Sequence, residues 1–187
     1  MTITLEDRGR ALEDEFFNKE NAKKIEALKE KLDDKRSRED LRKASGMTDD
    51  AVLDKLVELG LSAQTITALS LVPLVTVAWA DGSVQDNERA SILQAAHGKN
   101  LEAGSAGHKL LESWLTTQPE PKLLEAWEAY MKALAGQLND EQNRMLRNQI
   151  VGFAKVIAES SGGLLGFGKV SKGEEAAIVR IEGAFKR

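Results

Sequence analysis

A chain of 187 residues, 42% of them hydrophobic, is long enough to bury roughly 70% of its extended-chain surface on folding. Its net charge of −4, with both signs interspersed, argues against a general nucleic-acid or anionic-membrane binder. The absence of cysteine excludes disulfides, thiolate metal sites and cysteine nucleophiles. Residues 1–20 are charged and lack the apolar core of a secretion signal. No apolar run approaches the roughly 20 residues that a spanning helix needs, so a cytoplasmic location is expected.

Residues 1–60 hold just over half of all charged residues in under a third of the length. This predicts two parts: a charged helical appendage over 1–60 and a more apolar helical domain over 61–187. Within the appendage, Leu12, Phe16, Ile25, Leu28 and Leu32 predict one long helix over 5–32. Its apolar stripe calls for a partner surface, on this chain or another. Residues 37–60 predict a helical hairpin, with Ser37 opening the first helix, Gly46 ending it and Thr48 capping the second. The hairpin has helix-turn-helix spacing. Its second helix carries Asp49, Asp50, Asp54 and Glu58 against a single Lys55, which phosphates would repel.

Next comes a central apolar helix with a break near Leu69 and Ser70, buried from Val72 to Trp79. Further helices are predicted over 86–97, 106–115, 122–138, 139–158 and 171–185. Capping-box patterns open the last two, at Asn139 and at Ser171. No segment alternates with period two, so the chain is predicted to be all-α.

Two stretches share one design. The first is Val77-Ala78-Trp79-Ala80-Asp81-Gly82-Ser83-Val84-Gln85-Asp86-Asn87-Glu88-Arg89, followed by Ile92. The second runs from Val156 to Gly162 and resumes at Val170, with Glu174 and Ile178 at the same four-residue intervals. In the first, Asp81, Ser83, Asp86 and Glu88 offer side-chain oxygens of the kind hard cations take, without the EF-hand spacing. The same residues also read as an ordinary turn followed by an acidic helix start.

The first stretch resembles the signature of TerB-like domains, the tellurite-resistance TerB family, and the resemblance spans about residues 62–187. It implies a helical bundle of two pseudo-symmetric halves. It also implies acidic turns that bind a divalent cation such as calcium, in proteins linked to tellurite and chemical-stress resistance. Carried over by position, the expected metal residues are Asp81, Asp86 and Glu88. The second copy has Ser161 where the family has Asp, and an insertion, Gly163 to Gly168. Glu174 is then the one residue carried over for a second site, and one site or none is favoured over two.

Other chemistry is disfavoured. Gly163 to Lys169 has phosphate-loop spacing but follows a helix, and Val170 stands where a magnesium-holding hydroxyl is needed. His97 and His108 lack any pairing at ligand spacing, and no nucleophile–base arrangement stands out. Trp79, Trp114 and Trp127 are expected as core anchors. The expectation is a non-enzymatic interaction module with no organic cofactor, docking a protein partner or a second copy through its N-terminal helices. The alternatives are a metal-free all-α adaptor or oligomerisation protein, and a nucleic-acid-associated regulator acting through residues 37–60.

Overall fold

A computed structural model describes residues 19, 23–24, 26–28, 33–160 and 170–186. Most of the expected 5–32 helix and all of the Gly163 to Gly168 insertion lie outside the described residues. Residues 19, 23–24 and 26–28 are helical and exposed, Leu28 to 60%.

Helix α1 occupies 33–45 and α2 Asp50–Glu58. The short α3, Ile66–Leu69, leads into α4, Val72–Ala78. Then follow α5 Asp86–Gly98, α6 Ala106–Thr116, α7 Pro121–Ala135, α8 Asp140–Ser160 and α9 Lys172–Gly183. The fold is all-α, with no strand among the described residues.

Two predicted boundaries move. Ser37 does not open a helix; it lies inside α1, where Lys35 and Arg36 just ahead of it are good helix formers and already helical. Asp49, not Thr48, caps α2: its Oδ1 accepts the N–H groups of Ala51 (2.9 Å) and Val52 (3.2 Å). A carboxylate next to the positive end of a helix is the better acceptor of the two. Leu41, Met47, Leu53 and Leu56 from this region are buried in the same core as the later helices, and α2 packs on α7.

The predicted break stands between Leu69 and Val72, with Pro73 in the first turn of α4, where its missing N–H costs nothing. All of α4 except the half-buried Thr76 is buried, and it packs against α5, α7, α8 and α9. This helix is the hub of the fold. Trp127, 1% exposed, meets Phe185 edge-on at 6.2 Å. Trp79 and Trp114 are only partly buried, joined by a 2.8 Å bond from Trp79 Nε1 to the Trp114 carbonyl.

The predicted box at Asn139 forms in both directions. Gln142 N–H donates to Asn139 Oδ1 (2.8 Å), and Asn139 N–H donates to Gln142 Oε1 (3.0 Å). No described helix is long and apolar enough to cross a membrane.

Candidate site where two helix starts meet

After α4 the chain reverses in a tight turn. Asp81 Oδ1 accepts the N–H of Ser83 at 3.0 Å, and Gly82 sits at φ +94°, a conformation that costs a residue with a Cβ. The backbone is extended at Gln85 and then enters α5. Glu88, third residue of α5, folds back so that its Oε2 accepts the Gln85 N–H at 2.8 Å. That bond satisfies one of the orphan donors at the helix start.

The start of α9 repeats this geometry. Ser171 is extended, Glu174 Oε2 accepts the Ser171 N–H at 2.6 Å, and Ser171 Oγ accepts the Glu174 N–H at 3.2 Å. Each capping glutamate is buried, Glu88 to 0% and Glu174 to 2% exposure. They are the buried charged side chains among the described residues. Ile92 and Ile178, four residues further on, both enter the core.

The two starts touch. A Cβ built on Gly173 would lie 2.5 Å from the carbonyl oxygen of Ala80, so the first turn of α9 rests directly on the turn after α4. Glu174 is close enough for its charge to act on Glu88. Burial is the main reason that the Glu88 carboxyl is pushed up to about 7. The Gln85 N–H works in the opposite direction, while the charges of Asp81 and Glu174 add to the rise. Glu88 Oε1 is buried and accepts no hydrogen bond.

The site therefore joins Glu88 and Glu174 in the interior with the exposed Asp81 at its edge. Asp86, the first residue of α5, is exposed, and the charges acting most on Glu88 are those of Asp81 and Glu174. The sequence alone does not pair Glu174 with Glu88; by resemblance Glu174 belongs to a separate second site. The matching Val-to-Glu-to-Ile intervals carried the signal. The glycine just before Glu174 marked where the backbones approach. Among the described residues, no three His, Cys, Asp or Glu side chains already stand as a ligand set.

The histidines require one correction. His108 does have a carboxylate at helical spacing: its Nδ1 lies 3.4 Å from Glu112. His97 is exposed near the end of α5.

The chain matches no family model, no curated protein and no solved structure.

Proposed function

We propose that this protein is a non-enzymatic, cytoplasmic interaction module of TerB-like design, which takes a divalent cation such as calcium where its two helix starts meet. Asp81, Glu88 and Glu174 would hold the cation, with Asp86 as a peripheral carboxylate. The observation that carries the reading is Glu88 Oε1, a fully buried acceptor without a donor, on a carboxyl that feels the charges of Asp81 and Glu174. An unmet buried acceptor costs about 1–3 kcal/mol. A hard cation satisfies such an oxygen and cancels the repulsion around it, with water completing its shell.

The consequence is mechanical. A cation held by Glu88 and Glu174 ties the turn after α4 to the first turn of α9, so its presence stiffens the hub of the fold. The exposed helical residues ahead of α1, Leu28 among them, supply the surface for a protein partner or a second copy. The link to tellurite or chemical stress rests on the sequence resemblance.

Thermal melts of metal-stripped protein, with and without millimolar calcium, test this reading. Calcium at 100 times its dissociation constant adds about 2.7 kcal/mol to the wild type. Asp81→Ala and Glu88→Ala lose that gain. No rise with calcium, magnesium or manganese contradicts it.

A metal-free adaptor is the second reading. It is favoured by the hydrogen bonds that already occupy one oxygen of each glutamate. Nucleic-acid binding through 37–60 is opposed by charge pairing: Arg38 holds Asp54 at 3.0 Å, and Arg42 pairs with Asp50. A DNA mobility shift at low salt would restore it.

A further inference from the structure

A cleft of about 450 Å³ opens between α3, α7 and α8, on residues the acidic site does not use. Its volume falls within the roughly 300–1,000 Å³ typical of small-molecule sites. Trp127, Met131, Leu134, Leu146 and Ile150 give it an apolar wall. The polar residues described along it are Ser45, Thr67, Ser70, Tyr130, Gln149 and Lys99, of which Ser45 and Ser70 already donate their hydroxyls to the carbonyls of Leu41 and Thr67.

Three observations define the occupant. First, among the described residues Lys99 is the one charged residue lining the cleft, in a chain whose net charge is −4. Among the described residues, no carboxylate lines the cleft and none lies within ion-pairing distance of Lys99. Second, Tyr130 is loosely held: its hydroxyl reaches the Ser45 carbonyl only at 3.5 Å. Burial raises the phenol above its ordinary range, so it stays a neutral donor. Third, Lys99 and Gln149 also line a neighbouring groove of about 430 Å³ that runs past Phe153 and Val156 and likewise has no acidic residue among the described ones. An apolar body with one anionic end fits this layout, and a single ammonium matches a single charge.

We propose that this cleft binds a small amphipathic monocarboxylate, its chain against Trp127, Met131 and Ile150 and its head group at Lys99 and the Tyr130 hydroxyl. The wall excludes water from the chain, and the partly buried Lys99 strengthens the head-group contact beyond that of an exposed pair.

Calorimetric titration of the full-length protein with decanoate, in chelator-treated buffer, tests the proposal apart from the cation site. The expected result is saturable one-to-one binding, at least tenfold weaker for decylamine and for decanol. Lys99→Gln and Gln149→Glu, both at the rim, should each weaken decanoate about tenfold while keeping the wild-type melting temperature. Ile150→Trp should fill the cleft and abolish binding. Absence of saturable binding, equal binding of decylamine, or full binding by both Lys99→Gln and Gln149→Glu would overturn it. The rim pair decides the matter even if Ile150→Trp fails to fold.

Discussion

Glu88 concentrates the tension in this protein. Its carboxylate caps α5 through the Gln85 N–H, yet its other oxygen is buried without a donor. Folding raises its pKa from 4.5 to about 7, so the native state holds the proton more tightly than the unfolded chain does. Stability from this group is greatest at low pH, declines as pH rises from about 4.5 through about 7, and is level above that range. The melting temperature of metal-free protein should therefore contain a component that falls between about pH 4.5 and pH 7. Glu88→Gln keeps an oxygen for the Gln85 N–H and removes the charge. It should flatten that component and melt above wild type at pH 8, which pH-series melts would check. A lower melting temperature for the variant at pH 8 would mean that the ionised carboxylate is already satisfied. Asp81→Asn should shift the midpoint of the decline downward, since the Asp81 charge helps raise Glu88.

At the scale of elements, the contact between α9 and the turn after α4 decides whether the two acidic starts form one site. Alanine is favoured over glycine by about 1 kcal/mol at an open helical position. At position 173 the order should invert, because the new Cβ would collide with the Ala80 carbonyl. Gly173→Ala should destabilise by about 1–3 kcal/mol, measured by denaturant unfolding, and should weaken any cation effect along with stability. The helices themselves were legible in the sequence, since apolar periodicity and caps act over a few residues. Asn139, Ser171 and the Leu69–Val72 break fell as expected. Ser37 and Thr48 did not, because each is a weak signal beside a stronger neighbour: a continuing helix in one case, the Asp49 carboxylate in the other. The meeting of Glu88 and Glu174 depends on the packing of residues some 90 positions apart, and no local pattern encodes such a distance. Only the repeated Val–Glu–Ile interval hinted at it.

Across the whole molecule, α4 is the hub, and α7 and the chain end brace one side of it. Arg180 on α9 grips Glu128 on α7 with bonds of 2.7 and 3.1 Å, and Trp127 packs on Phe185 just beyond α9. Trp127→Ala should cost about 3–5 kcal/mol, while Arg180→Ala, an exposed pair, should cost under about 1 kcal/mol. Equilibrium unfolding of both variants would separate packing from surface charge as the source of cohesion. Cation binding would involve the same frame, since α9 carries one of the two glutamates. It is tested most directly by calorimetric titration of calcium into metal-stripped protein near pH 7, in two buffers of different ionisation enthalpy. Glu88 is close to half-protonated there, so binding should release a fraction of a proton, and Glu88→Gln should show neither that release nor wild-type affinity. Absence of binding heat in both buffers, or binding with no proton release that Glu88→Gln leaves intact, would contradict the account.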